Sequence, residues 1–275
     1  MTRPTPAART VAVTGAASGI GLALVQRLLD RAPGTRVVAI DIARCPDDRA
    51  HSVLTDLSDL EAVAALELPD HIDALANVAG VPGTAPAETV LAVNTLGLRA
   101  LTFRALERMS AGGAVVNVAS IAAHRNTLAH DDIVGLLAVR DREELRAWLS
   151  RVQIDGPAAY DTSKRAVVDW TVALSASLQS RGIRALSVSP GPTDTPILSD
   201  FEQSMGAEAI ARSASMVGRH GTAAESASVI DFLLSPDAAW VNGIDVPVEG
   251  GLTALRAAAI PLPLSRPRAR VDIAE

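Results

Sequence analysis

The sequence predicts an α/β fold in one domain: a doubly wound parallel sheet of seven strands with a helical insertion after the fifth. Two observations carry this. Short apolar runs rich in valine and alanine alternate with amphipathic stretches from Thr10 to Val248. Strand–helix–strand units of that kind give parallel strands covered by helices on both faces. In addition, the first run, Thr10-Val-Ala-Val-Thr14, breaks into Gly15-Ala-Ala-Ser-Gly19-Ile-Gly21 before a helix begins. Glycines at a strand–helix turn let another backbone or a ligand come close.

Taken in order, residues 1–8 are polar and contain proline, and read as a frayed tail ahead of a domain spanning 9–255. After the first strand and glycine turn, a helix runs to about Arg31, with Ile20, Leu24 and Leu28 on one face. Pro33-Gly34 stops it, and residues 36–40 form a second buried strand ending in Asp41. Val53-Leu54 is a short third strand closing at Asp56-Leu57, followed by a helix over 58–66. Residues 72–78 form the fourth strand, leading into Asn77-Val-Ala-Gly80. A long helix from Glu88 to near Met109 contains Asn94, and residues 113–119 are the fifth strand, ending at Ser120. The helix over 158–181 bears Tyr160 and Lys164. Residues 183–189 are the sixth strand, closed by Pro190-Gly191-Pro192. An amphipathic helix at 223–234 and a seventh strand at 244–248 follow. Residues 256–275, with their prolines and arginines, read as a C-terminal tail.

The segment 124–156 breaks the alternation. It opens polar and continues through two helical patches. In the second, Asp141 and Glu144 stand as N-cap and N3 partner. Leu145, Trp148, Leu149 and Val152 form the apolar stripe behind them, so a helical hairpin packed on the domain is expected.

Composition narrows the function. Aspartate and glutamate exceed lysine and arginine for a net charge of -6, which argues against nucleic acid or an anionic membrane as partner. No apolar run is long enough to span a bilayer, and the first residues carry no secretory h-region, so a cytoplasmic protein is expected. The single cysteine, Cys45, excludes an internal disulfide. The five histidines show no HxxxH or HExxH spacing, and no metal site is expected.

Tyr160, the only tyrosine, precedes Lys164 by one helical turn, so phenol and ammonium share a face. A free phenol titrates near 10 and carries protons poorly at neutral pH. A neighbouring ammonium favours the phenolate, and the spacing predicts a lowered pKa for Tyr160. The glycine turn offers backbone amides and a helix N-terminus to a pyrophosphate. Asp41 lies twenty residues beyond Gly21, where a carboxylate accepts hydrogen bonds from an adenosine ribose. It would repel a 2′-phosphate, and Ala16 and Ala17 supply no base to hold one, so NAD is expected rather than NADP.

Together these residues resemble the short-chain dehydrogenases/reductases over about residues 10–251. Thr14-Gly-Ala-Ala-Ser-Gly-Ile-Gly21 is similar to the family's TGxxxGxG, and Asn77-Val-Ala-Gly80 to its NNAG, with valine in place of the second asparagine. Asp56-Leu57 resembles its adenine-contacting pair, and Pro190-Gly191-Pro192-Thr193 its PG motif. The resemblance implies a Rossmann-type domain with Asn94, Ser120, Tyr160 and Lys164 as the catalytic tetrad. Tyr160 would be the general acid or base, Lys164 its pKa modulator and ribose ligand, Ser120 the carbonyl ligand, and Asn94 the support of a water relay. It further implies that the cofactor NAD rests on Gly15, Ser18, Gly19, Ile20, Gly21, Asp41, Ile42, Asp56, Leu57, Asn77, Ala79 and Gly80. On the nicotinamide side the same resemblance adds Tyr160, Lys164, Pro190, Gly191, Thr193 and Thr195.

Ser120 and Tyr160 are 40 residues apart, farther than in most of the family, and the 124–156 insertion accounts for this. In that respect the chain resembles the subgroup of bacterial 3α-hydroxysteroid dehydrogenases/carbonyl reductases and coniferyl alcohol dehydrogenases. There the insertion obstructs the usual dimer face, which implies a homodimer or homotetramer formed on the seventh-strand side. Residues 194–216 should cover the pocket as a mobile lid or as an ordinary packed helix. Ile197, Leu198, Phe201 and Met205 would give it an apolar lining suited to a small hydrophobic alcohol or ketone. A steroid-like or cyclic secondary alcohol leads, and an aryl-allylic primary alcohol is the alternative. A non-catalytic NAD-binding regulator, or a lyase or epimerase using NAD transiently, are the rival classes.

Overall fold

The computed structural model describes residues 9–257; the tails at 1–8 and 258–275 lie outside the described residues. Strand β1 (Thr10–Thr14) enters the sheet with every residue after Thr10 buried, as expected for a strand covered on both faces. Helix α1 (Gly19–Arg31) buries Leu24, Val25 and Leu28 and leads to β2 (Arg36–Asp41). Next come β3 (His51–Leu54), α2 (Leu60–Ala65) and β4 (Ala74–Asn77). The sheet is completed by β5 (Ala114–Val118), β6 (Arg184–Pro190) and, after a two-residue strand β7 (Thr193–Asp194) and its partner β8 (Gly221–Thr222), by β9 (Asp245–Val248). Its order is β3-β2-β1-β4-β5-β6-β9, and each pairing is parallel. The chain starts in the middle of the sheet and winds outward in both directions, so a crevice opens beyond the carboxyl ends of β1 and β4.

One apolar layer packs α1 and α10 (Ala223–Leu234) on the sheet through Leu24, Leu28, Ile230 and Leu233. The other face is covered by α4 (Leu98–Leu106) and α7 (Gly156–Leu178), with Leu101, Val167, Trp170 and Leu174 against Ile40, Leu75 and Val115.

The long helix expected over 88–109 is divided. Helix α3 (Ala87–Leu91) passes into a π-helical turn, Ala92–Gly97, before α4, which ends at Leu106. At Gly97 the backbone presses on the Leu57 carbonyl; a Cβ there would lie 1.9 Å from its oxygen. The widened turn carries Asn94, and such turns recur at functional sites.

The insertion forms α5 (His130–Ala138) and α6 (Arg142–Val152). Asp141 caps α6 by accepting from the Glu144 amide at 2.9 Å. Glu144 reaches back one residue farther than a capping box requires, to the Arg140 amide at 2.8 Å. Ile133, Leu136, Leu145 and Trp148 join Val90, Leu91, Ala159 and Tyr160 in a third apolar cluster. The hairpin therefore supports the helix that bears Tyr160.

Most of the segment 194–216 is helical: α8 (Leu198–Met205) and α9 (Ala207–Val217) meet at Gly206, whose φ of 88° turns the chain. Ile210 and Ser213 of α9 are buried, the arrangement of a packed amphipathic cover. The expectation of a tail from 256 is corrected, because α11 (Leu252–Ala257) includes Arg256 and Ala257.

Candidate active site

The glycine turn is shaped by close contacts that only glycine permits. Gly15 has a φ of +66°, and a Cβ on it would lie 2.8 Å from the Ala79 backbone; one on Gly21 would lie 2.0 Å from the Gly15 carbonyl oxygen. Thr14 Oγ1 accepts from the Val78 and Ala79 amides at 2.9 and 3.0 Å, which locks the end of β4 against the turn. Ser18 precedes α1 in extended conformation, makes no side-chain cap bond, and no acidic residue sits in the first helical turn. The α1 amides are thus left for an anion.

Three adjoining cavities follow from this turn. The first, about 410 Å³, is lined by Gly15, Ser18, Gly19, Ile20, Gly21, Asp41, Ile42, Asp56, Leu57, Ala79 and Gly80, among others. Asp41 is oriented by the turn itself, its carboxylate accepting from the Ala17 amide at 2.9 Å and from the Ala43 amide at 3.1 Å. The second cavity, about 110 Å³, holds Ser120, Tyr160, Lys164, Pro190, Gly191, Thr193 and Thr195. Ile20, Val78, Gly80, Thr195 and Ile197 border both. The third, about 350 Å³, shares Ser120, Tyr160, Gly191 and Phe201 with the second and extends past Leu198, Ile210, Ser213 and Arg256.

Asp155 starts α7 by accepting from the Ala158 amide at 2.9 Å. One turn in, Tyr160 is buried, and its hydroxyl hydrogen-bonds Ser120. The Phe201 ring of α8 lies 5.1 Å from the tyrosine ring and closes it over. Lys164 sits 5.6 Å from the centre of the Tyr160 ring, and its Nζ donates to the Val118 carbonyl at 2.9 Å. Asn94 lines none of these cavities. It stands behind Lys164, bonded to both backbone groups of Val81 at 2.9 and 3.1 Å and to Ser163 Oγ at 3.1 Å. A Cβ on Gly80 would meet Asn94 Oδ1 at 3.2 Å and Lys164 Nζ at 3.4 Å, so that glycine keeps the approach to both open.

The electrostatics reverse one expectation. Burial pushes the Tyr160 pKa up to about 12, and only its hydrogen bond with Ser120 and the charge of Arg125 pull the other way. Burial also pushes Lys164 down to about 8. The ammonium faces a backbone carbonyl, not the phenol oxygen, and both groups have lost their water. At neutral pH the phenol is therefore protonated, the state required of a proton donor.

Asn77 is also placed differently from its expected role. Its side chain is buried and donates to Thr102 Oγ1 and Asn117 Oδ1, each at 2.8 Å, while Asn117 donates to Thr171 Oγ1 at 2.9 Å. The chain of bonds ties β4 and β5 to α4 and α7, away from the cavities. Met205, expected in the pocket, has a side chain outside the described residues. Ile197 borders the first two cavities, whereas Leu198 and Phe201 reach the third. Sequence reasoning missed His124, Arg125, Thr253 and Arg256, which line the third cavity. The only sequence cue for the last two was the short helical stretch after Gly250-Gly251.

A glycine cradle, a carboxylate at the end of β2 and a buried Ser–Tyr–Lys cluster beside an apolar cavity define a dinucleotide-dependent oxidoreductase. Residues 9–130 match the short chain dehydrogenase family, and residues 146–253 match a family described as enoyl-(acyl carrier protein) reductase. The stretch between the two matches holds α5 and the start of α6. Coniferyl-alcohol dehydrogenase of Pseudomonas sp. (strain HR199) is 35% identical over 250 residues, covering 89% of this chain and 96% of that one. The 3-alpha-hydroxysteroid dehydrogenase/carbonyl reductase of Comamonas testosteroni is 30% identical over 256 residues, with the same coverage of 89% and 96%. The crystal structure of the 3-alpha-hydroxysteroid dehydrogenase from Pseudomonas sp. B-0831, complexed with NADH, superposes with a TM-score of 0.78 at 34% identity, covering 92% of this chain and all of that one. The chain belongs to the short-chain dehydrogenase/reductase family. It is an oxidoreductase of the family that uses NAD(P) and acts on alcohols.

The buried ammonium predicts a stability cost with a definite pH dependence. Below pH 8 the folded lysine is charged and unhydrated, at a cost of roughly 3 kcal/mol. Between about 8 and 10.5 the folded state releases this proton while the unfolded state keeps it, so stability rises with pH across that window. Lys164→Met should therefore raise the melting temperature of the cofactor-free protein at pH 7 by roughly 3–8 °C, with a smaller gain at pH 10. A variant that melts lower at both pH values would show that Lys164 supports the fold.

Proposed function

We propose that the protein interconverts a hydrophobic alcohol and its carbonyl compound with NAD as hydride carrier. The observation that carries this is the convergence of Tyr160, Ser120 and Lys164 where the cavity beside the glycine turn meets the apolar one. When bound, the nicotinamide gives or takes the hydride. In reduction, Tyr160 passes its hydroxyl proton to the substrate oxygen; in oxidation, where the positive charge of the oxidised nicotinamide would favour the phenolate, Tyr160 takes that proton back. Ser120 donates to the same oxygen and stabilises the charge that develops there. Lys164 and Tyr160, with Pro190, Gly191, Thr193 and Thr195 around them, would hold the nicotinamide half, and Asn94 would keep a water in line with Lys164.

The preference for NAD rests on the first cavity, whose lining has two carboxylates, Asp41 and Asp56, and no lysine or arginine among the described residues. A 2′-phosphate would meet only negative charge there. The substrate wall is apolar, with Ile121, Ala122, Leu198, Phe201 and Ile210, which suits a cyclic or steroid-like secondary alcohol. Similarity to the coniferyl-alcohol dehydrogenase favours a second reading, an aryl-allylic primary alcohol. A panel of 3-hydroxysteroids, cyclic alcohols and coniferyl-type alcohols, followed by NADH absorbance, separates the two. Turnover of none would contradict both. In parallel, Asp41→Ala should lower the NAD:NADP ratio in kcat/KM by roughly tenfold or more; an unchanged ratio removes the ribose assignment.

A homodimer or homotetramer formed on the β9 side completes the proposal. It is supported by Trp240, fully exposed, and Ile244, both between α10 and β9, with Phe232 of α10 also exposed. Light scattering that returns the mass of one chain would refute it.

A further inference from the structure

The third cavity has a polarity that the alcohol-dehydrogenase reading does not use. No aspartate or glutamate lines it among the described residues, although the chain as a whole carries a net charge of -6. Two arginines do line it. Arg125 is occupied: its Nε donates to Asp161 at 3.1 Å and a second nitrogen to the other carboxylate oxygen at 2.5 Å. Arg256 is different. Its guanidinium donates to Ser213 Oγ at 2.7 Å and has no carboxylate partner among the described residues. Ser213 is buried and gives its own proton to the Ala209 carbonyl at 2.9 Å, so its lone pair is directed at the arginine. A neutral hydroxyl therefore steers the guanidinium without cancelling its charge. One N–H is used in this contact and the other donors remain available.

Resting on the reading just proposed, we infer that the substrate is an amphipathic hydroxy acid or keto acid, with a hydrophobic body and a carboxylate received by Arg256. The placement suits such a molecule. Arg256 lines the third cavity but not the second, where Lys164 lies, so the charge is received away from the hydride-transfer end. It is also solvent-exposed, at the cavity rim. A carboxylate there keeps much of its hydration, while the body is covered by Leu198, Phe201 and Ile210. The planar guanidinium can take a carboxylate through two parallel N–H bonds, a geometry that lysine does not offer. Arg125, neutralised by Asp161, adds wall and not net charge.

The test compares molecules that differ in that charge and in one methyl group. Turnover of 4-(1-hydroxyethyl)benzoate and of 4-hydroxycyclohexanecarboxylate is measured beside their methyl esters, in wild type, Arg256→Gln and Arg256→Lys. Binding is measured separately by calorimetry on protein saturated with oxidised NAD, using 4-acetylbenzoate and its methyl ester. Ketone and oxidised dinucleotide cannot react, so this arm does not depend on catalysis. Wild type should favour the acid over the ester by roughly tenfold in each assay. Arg256→Gln should bring both ratios close to one, and Arg256→Lys should retain part of the preference. A wild type that treats acid and ester alike, or a preference that survives Arg256→Gln, overturns the inference. Preferential binding of the acid without turnover of any alcohol would uphold the anion site and contradict the dehydrogenase chemistry.

Discussion

The site depends on burying an ammonium and a phenol together at the joint between the cavity beside the glycine turn and the apolar one. Water would hold both groups near their ordinary pKa values. Its removal pushes Tyr160 up and Lys164 down. The phenol is kept neutral, and the lysine stays charged only below about pH 8. Neither shift stabilises the chain. At neutral pH only the charged lysine carries a local cost of the kind that accompanies a pre-arranged reactive centre; the neutral phenol carries none.

Much of the fold serves to hold that pair still. Helix α7 is fixed to the sheet by Asn77, Asn117 and Thr171 in an unbroken run of buried hydrogen bonds. From the other side it is packed by the inserted hairpin, whose Leu145 and Trp148 share a cluster with Tyr160. The π-helical turn, pressed onto the Leu57 carbonyl at Gly97, brings Asn94 to Val81 and Ser163. Phe201 completes the enclosure from α8. An insertion that looks peripheral in sequence is thus part of the support for Tyr160.

Most of the architecture was legible because a parallel strand buried on both faces leaves a continuous apolar run, and each run ended in a recognisable turn. Boundaries differed by up to three residues, as they do where helix and strand ends fray. What was not legible has particular causes. The π-turn is invisible because one extra residue hardly disturbs the apolar pattern of a long helix. Asn77 was read as a cleft residue from its position at a strand end, but the pleat sends its side chain into the layer beneath α4 and α7. The direction of the Tyr160 shift was misjudged because sequence places the ammonium nearby and says nothing about lost water. Arg256 lay hidden in a stretch whose prolines and arginines suggested a tail.

The account stands on Tyr160 as the proton carrier. The most direct measurement is kcat/KM for an alcohol that the wild type oxidises, set beside Tyr160→Phe, with dinucleotide affinity measured on both proteins. The account predicts a fall of roughly 10²–10⁴-fold, with dinucleotide binding changed only slightly. Equal turnover in the two proteins would contradict it and move the proton transfer to another group.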